Sequence, residues 1–141
     1  MKDDPVIRLF LQTAQAIEER LEAALVEVDL SVAKYSALKQ LAAADEPLSL
    51  SDMAARLVCV RSNVSQLVDR LEADGLVRRV EDPKDRRCVR AALTDLGRER
   101  QAAGVQRLGS VRDEIVAALS EVDRGALERA LERLRPRSAN G

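Results

Sequence analysis

The feature that most constrains the fold is a change in the spacing of apolar residues at Gly75. Before it, apolar residues recur at three- and four-residue steps, as in amphipathic helices. After it, the runs 76–80 and 87–93 are typical of short strands around the polar, proline-containing segment 81–86. Gly75 suits a helix end, because glycine adopts the left-handed backbone conformation at little cost. The chain is therefore predicted to be mainly α-helical with one small β-hairpin.

Capping residues predict where the helices begin. Asp4 can cap a long first helix, and Ser31 and Thr94 can cap a second helix and a long helix after the hairpin. The segments 49–52 and 120–123 match the capping box, in which the first and fourth residues bond to each other's backbone N–H groups. We expect short helices to follow both boxes.

The composition disfavours catalysis. The chain has no histidine, which removes the commonest general base and the commonest metal ligand. Cys59 and Cys88 form neither a disulfide framework nor a metal-binding spacing. Because no phosphate-binding glycine loop or nucleophile motif is present either, we predict a protein that is not an enzyme and has no metal or cofactor.

No apolar run approaches the roughly 20 residues that a membrane-spanning helix needs. The first residues do not resemble a secretory signal. We therefore expect a cytoplasmic protein that does not bind membranes.

Charge is unevenly distributed along the chain. Residues 56–90 contain nine basic and six acidic side chains, a net charge of +3, which leaves −4 for the rest of a chain whose total is −1. A basic middle between acidic ends favours a nucleic-acid-binding module within a structural scaffold, although ordinary variation in surface charge is an alternative.

The order helix, helix, tight turn at 58–60, helix and hairpin predicts a winged helix-turn-helix. Its recognition helix would begin near Ser62, and polar side chains in its first turns could reach base edges in a major groove. Asn63 and Gln66 could each pair with adenine. The candidate major-groove residues are Arg61, Ser62, Asn63, Ser65 and Gln66. The simpler alternative is an N-cap followed by a solvated helix face.

The hairpin loop, or wing, is the second candidate DNA contact. Lys84, Arg86 and Arg87 surround a turn stiffened by Pro83, and such a basic loop can follow phosphates or insert an arginine into a minor groove. Asp85 could hold one of these guanidinium groups through a paired hydrogen bond. The alternative is an ordinary solvated turn.

Several motifs together resemble the multiple-antibiotic-resistance (MarR) family of regulators. The run LVCVRSNVSQLVDRLEADGLV (57–77) is similar to that family's recognition-helix segment. DPKDRR (82–87), LT (93–94) and LSLSDMA (48–54) are similar to its wing, the start of its long helix and the segment before its recognition helix. Val58 and Val60 depart from the glycine and small polar residue that are common in the turn.

The resemblance implies a winged helix on a dimerisation scaffold. It divides the chain into a dimerisation helix (1–30), the winged module (31–94), C-terminal dimerisation helices (95–135) and a flexible tail (136–141). A homodimer would place two modules on successive major grooves, roughly 34–36 Å apart, and read a pseudo-palindrome in double-stranded DNA.

The same resemblance implies roles for single residues and for a ligand. Arg87 would be the minor-groove arginine with Asp85 as its positioning partner, and Asp69 and Arg70 would be a charged pair supporting the module. A small aromatic or phenolic effector would release the protein, which we expect to be a repressor, from DNA.

Two other functions remain open from the sequence. Cys88, expected on a strand beside Arg86, Arg87 and Arg90, could be a redox-sensing thiolate favoured by positive charge, whereas Cys59 is expected to pack as a small apolar residue. The family's thiol-sensing branch uses a cysteine near the first helix, which this chain lacks. Alternatively, the winged helix could bind a protein instead of DNA.

Overall fold

The computed structural model describes residues 3–57 and 61–135. In these ranges the elements are α1 (Pro5–Val26), α2 (Val32–Ala43), β1 (Leu48–Ser49), α3 (Leu50–Leu57), α4 (Arg61–Ala73), β2 (Val77–Glu81), β3 (Val89–Leu93), α5 (Asp95–Ala118) and α6 (Arg124–Leu134). The predicted fold class, mainly α with a small hairpin arranged as a winged helix-turn-helix, is confirmed. The predicted turn at 58–60, Cys59 within it and the tail 136–141 lie outside the described residues.

Three of the predicted helix caps are present. The Asp4 carboxylate accepts from the Val6 N–H at 2.8 Å, Ser31 Oγ from Lys34 N–H at 3.1 Å and Thr94 Oγ1 from Gly97 N–H at 3.0 Å. At the first capping box, Ser49 Oγ accepts from the Asp52 N–H at 3.1 Å. Each cap satisfies a backbone donor that has no partner within its own helix.

The second capping box predicted the wrong N-cap for the last helix. Helix α6 begins at Arg124, and its N-cap is Asp123, whose carboxylate accepts from the Ala126 N–H at 3.1 Å. Ser120 instead lies in the turn after α5, where its N–H donates to the Ala117 carbonyl at 3.2 Å. An aspartate is a strong N-cap by itself, so the last residue of the motif starts the helix and its first does not.

The sheet has three antiparallel strands in the order β1-β3-β2, one more than the predicted hairpin. Strands β2 and β3 pair from Val77↔Leu93 to Glu81↔Val89, and β1 adds Leu48↔Ala91 and Ser49↔Arg90. A two-residue strand is too short to show alternation in sequence, so β1 was missed. Its pairing brings the loop before α3 against the middle of the hairpin.

The hydrophobic core lies almost wholly in and around the winged helix. Every buried apolar side chain of the described residues falls between positions 25 and 91: Leu25, Leu30, Ala37, Leu38, Leu41, Leu48, Met53, Val64, Val68, Leu71, Leu76, Val77 and Ala91. The apolar stripe expected along α1 is present, but Val6, Leu9 and Phe10 at its N-terminal end are exposed. None of the helices in the described ranges is long and apolar enough to cross a membrane.

Candidate nucleic-acid interface

Helix α4 is the predicted recognition helix, and it turns one apolar face inward. Val64, Val68 and Leu71 are fully buried. Of the predicted major-groove residues, Asn63 and Gln66 are exposed one turn apart, and Ser65 is half-buried. Arg61 and Ser62 form the first turn of α4, but their side chains lie outside the described part of the structure. The two amide side chains can therefore approach a ligand from the same side of the helix.

The C-terminal end of α4 is held by hydrogen bonds to the start of α5. Gly75 has a φ of +78°, and its carbonyl accepts from Thr94 Oγ1 at 2.6 Å. The Thr94 N–H donates to the Leu76 carbonyl at 3.1 Å. The residue that caps α5 thus also fixes the end of the recognition helix.

The expected Asp69–Arg70 pair was wrong. The Asp69 carboxylate instead pairs with the guanidinium of Arg79 on β2, and Glu72 accepts from the Arg79 backbone N–H at 3.3 Å. Adjacent residues on a helix point in different directions, whereas β2 runs directly beside α4. These contacts attach the hairpin to the recognition helix.

The wing, residues 82–88, is ordered by its own acidic residues. Asp82 Oδ1 accepts from the Lys84 N–H at 2.9 Å, and Asp85 Oδ1 accepts from the Arg87 N–H at 3.0 Å. The Asp82 N–H donates to the Cys88 carbonyl at 3.2 Å, which closes the base of the loop. Aspartate side chains commonly stabilise turns by accepting from the backbone two residues ahead.

Asp85 does not hold a guanidinium, contrary to the sequence-based expectation. Its carboxylate accepts from the Arg87 backbone and, at 3.6 Å, from the Cys88 thiol. Lys84, Arg86 and Arg87 are exposed, and none of them forms an ion pair within the described residues. Three cations on one ordered loop are therefore available to external anions.

The surroundings of Cys88 do not favour the thiolate that the sequence left open. Strand β3 begins at Val89, so Cys88 lies in the wing, where the negative charge of Asp85 is the largest of the effects that raise the pKa of its thiol. The positive charge of Arg90 lowers the pKa of the Cys88 thiol, but this guanidinium is paired with Asp82.

Among the described residues, no group of histidine, cysteine and carboxylate side chains could hold a metal ion.

Arg90 was counted only as a positive charge in the sequence, but it connects three segments. Its Nε donates to Asp82 Oδ2 at 3.1 Å, and its Nη1 donates to the Pro47 carbonyl at 3.0 Å. The N–H of Lys84 and the Arg90 guanidinium hold the pKa of Asp82 below its ordinary value, and Asp82 raises the pKa of Arg90. The β1 pairing, which places Ser49 opposite Arg90, brings Pro47 within reach.

A separate cleft of about 480 Å³ lies where the α1–α2 turn, the end of α4 and α5 meet. Sequence reasoning named no residue for it, because its walls come from distant segments. Lys34 Nζ lies 2.6 Å from Asp74 Oδ2, and Arg100 Nη1 lies 3.8 Å from Asp29 Oδ2. The lining residues are Val26, Asp29, Leu30, Ser31, Lys34, Asp74 and Arg100.

Residues 28–87, which include most of the winged helix, match the MarR family. Over 53 residues the chain is 45% identical to the uncharacterized HTH-type transcriptional regulator YkoM of Bacillus subtilis (strain 168). That match covers 38% of this chain and 34% of the relative, so the chain spans about a third of the relative's length.

Two solved structures share the fold over nearly the whole chain. CouR from Rhodococcus jostii RHA1, bound to p-coumaroyl-CoA, is 26% identical with a TM-score of 0.75, and the match covers 93% of this chain and 90% of that one. A mutant MarR from E. coli complexed with operator DNA is 24% identical with a TM-score of 0.81, and the match covers 94% of each chain. The sequence resemblance to the MarR family, whose members are transcriptional regulators and not enzymes, is thus confirmed by the match over residues 28–87 and by the shared fold.

Proposed function

We propose that this chain is a homodimeric repressor that binds a pseudo-palindromic operator in double-stranded DNA. Helix α4 enters a major groove with Asn63 and Gln66 facing the bases, and the wing follows the neighbouring backbone with Arg87 in the minor groove. The observation that carries this proposal is the ordered wing, whose lysine and two arginines have no ion-pair partner within the described residues, on the same module as the exposed amides of α4.

The same proposal assigns the other predicted residues. Arg61, Ser62 and Ser65 contact bases or phosphates at the start of α4, where helix N–H groups also favour phosphate. Lys84 and Arg86 bind phosphates, and Asp85 shapes the loop by accepting from the Arg87 backbone. Phosphate contacts position the protein, whereas α4 supplies base recognition.

Dimerisation is proposed from apolar side chains that a single chain leaves exposed. Five of them lie together near the start of α1 and others lie on α5 and α6: Val6, Ile7, Leu9, Phe10, Leu11, Val105, Val116, Leu131 and Leu134. Many large apolar side chains exposed on the same few helices indicate an interface with another chain. A two-fold dimer covers these faces and sets the two α4 helices roughly 34–36 Å apart.

A small aromatic acid is proposed as the effector, with the cleft beside α4 as its site. Its carboxylate would compete with Asp74 for Lys34, and its ring would contact Val26 and Leu30. Asp74 follows the recognition helix directly, so release of the Lys34–Asp74 pair would free one end of that helix. The bound p-coumaroyl-CoA in CouR supports an aromatic ligand in this fold.

The test is selection of duplexes from a random library by the purified chain, followed by fluorescence anisotropy at several salt concentrations. We expect a palindrome preferred at least ~10³-fold over scrambled duplex, with affinity that falls steeply as salt rises. Arg87→Ala should weaken binding by roughly 5-fold or more, the cost of about 1–3 kcal/mol expected for an arginine in a groove. Absence of enrichment, with weak binding to all duplexes, would refute DNA recognition and favour a protein partner.

A further inference from the structure

The ion pair between Asp82 and Arg90 differs from the others in the described residues. Its side chains are 13% and 29% exposed, whereas every other pair has at least one partner that is more than 40% exposed. Exposed pairs contribute little because water and salt screen them. This pair is better shielded, and it lies at the base of the wing.

Both partners have a second contact that gives the pair a fixed geometry. Asp82 Oδ1 accepts from the Lys84 N–H, and Arg90 Nη1 donates to the Pro47 carbonyl. The loop containing the three wing cations is therefore connected through Arg90 to the segment that precedes β1 and α3. We call the Asp82–Arg90 pair with its bond to Pro47 the wing latch.

We propose that Asp82 and Arg90 are positioning residues, and that the wing latch holds the wing in its DNA-binding conformation before DNA arrives. This inference rests on the proposed function, because it assigns a role in DNA binding to residues that need not touch DNA. An ordered loop loses less conformational entropy on binding, so the latch increases affinity without adding a contact.

The wing latch and simple electrostatics predict opposite changes in DNA affinity when Asp82 is replaced. Asp82→Asn keeps a side-chain oxygen that can accept from the Lys84 N–H but cannot bond Arg90 as a carboxylate does. Because it also removes a negative charge near DNA, electrostatics alone predicts tighter binding. The latch predicts binding about 3- to 10-fold weaker, the cost of ordering one or two additional side chains.

The matched control is Glu81→Gln. Glu81 is the adjacent residue, is exposed, and has no ion pair or side-chain hydrogen bond within the described residues. Glu81→Gln removes one negative charge, as Asp82→Asn does, but leaves the wing latch intact. We expect this variant to bind the selected duplex as tightly as the wild-type chain, or more tightly.

The decisive experiment measures the affinity of the full chain for the selected duplex as wild type, Asp82→Asn, Arg90→Met and the double variant, each with and without Arg87→Ala. We expect the double variant to bind no more weakly than the weaker single variant. With Arg87→Ala, Asp82→Asn should have a smaller effect than in the wild-type chain, because the minor-groove contact that the latch positions is already lost. An undiminished effect of Asp82→Asn in that background, or binding equal to that of Glu81→Gln, would overturn the proposal.

Amide hydrogen exchange on the DNA-free chain tests the latch separately from the proposed function. We expect Asp82→Asn and Arg90→Met to accelerate exchange of the Asp82 and Cys88 N–H groups, and Glu81→Gln to leave it unchanged. Unchanged exchange in both latch variants would refute the latch. Faster exchange in a chain that selects no duplex would refute the DNA function alone, and thermal melts of each variant would show that it is folded.

Discussion

The predicted winged module, residues 31–94, and the helices of the predicted scaffold, α1, α5 and α6, differ in where their apolar side chains lie. Within the module, α2, α3, α4 and all three strands contribute to one core of fully or nearly fully buried side chains. In the scaffold, α1 buries only Leu25, the buried residues of α5 are Gly97 and Gly104, and α6 buries none. The apolar faces of the module are thus buried within the single chain, whereas much of the apolar surface of α1, α5 and α6 stays exposed.

Hydrophobic periodicity therefore predicts that one face of a helix is buried, but not which chain buries it. A single chain can complete the module because its elements are short and connected by tight turns. Helices α1 and α5 are long, with 22 and 24 residues, and their outer parts extend beyond the module's core. Their stability is therefore expected to depend on a second copy, and that of the module much less.

The largest expected effect comes from a core truncation in the module. Leu38 is fully buried, so Leu38→Ala should lower the free energy of unfolding by about 2–5 kcal/mol through lost burial and a residual cavity. Urea unfolding at several protein concentrations measures it. The control is Leu9→Ala at a position that is 63% exposed, which should raise the dimer dissociation constant and change the stability of the single chain by less than about 0.5 kcal/mol. Equal losses in the free energy of unfolding of the two variants, independent of protein concentration, would contradict the difference between the module and the scaffold helices.

An intermediate effect is expected where the two regions touch. A Cβ at Gly104 of α5 would lie 2.7 Å from Tyr35 Cδ2, so Gly104→Ala should force the scaffold away from α2 and destabilise the protein by about 1–3 kcal/mol. Gly109 on the same helix has open space around it, and Gly109→Ala should stabilise the chain by about 0.5–1 kcal/mol. Thermal melts should shift in opposite directions, and a shared direction would contradict this packing.

The smallest effect concerns the wing thiol. Because Asp85 raises the pKa of Cys88, the thiolate fraction at neutral pH is lower than that of an ordinary cysteine, and alkylation should accelerate only at higher pH. Asp85→Asn removes the largest cause, so the pKa should fall and alkylation at neutral pH should become several-fold faster. Mass spectrometry after timed iodoacetamide treatment measures this, with Glu81→Gln as the control. A wild-type rate above that of the unfolded chain would revive the redox hypothesis.

Sequence reasoning was most reliable where the cause is local. The caps at Asp4, Ser31 and Thr94 bond to residues two or three positions ahead, and Gly75 ends α4 through its own backbone conformation. It was less reliable at the second capping box, where two residues of one motif competed for the N-cap. The identity of the candidate DNA-binding residues followed from their order along the chain and stays a prediction.

Helical periodicity, alternation and capping act over a few residues, so the sequence predicted the helices, the hairpin and the position of the basic wing, but not the two-residue strand β1. The partners of the charged side chains depend on the folded arrangement of distant segments. Arg79 and not Arg70 pairs with Asp69, and Arg90 reaches the Pro47 carbonyl 43 positions away. Such pairings depend on the register of β1 and β3 and on the packing of β2 against α4, which place distant backbones within hydrogen-bonding distance.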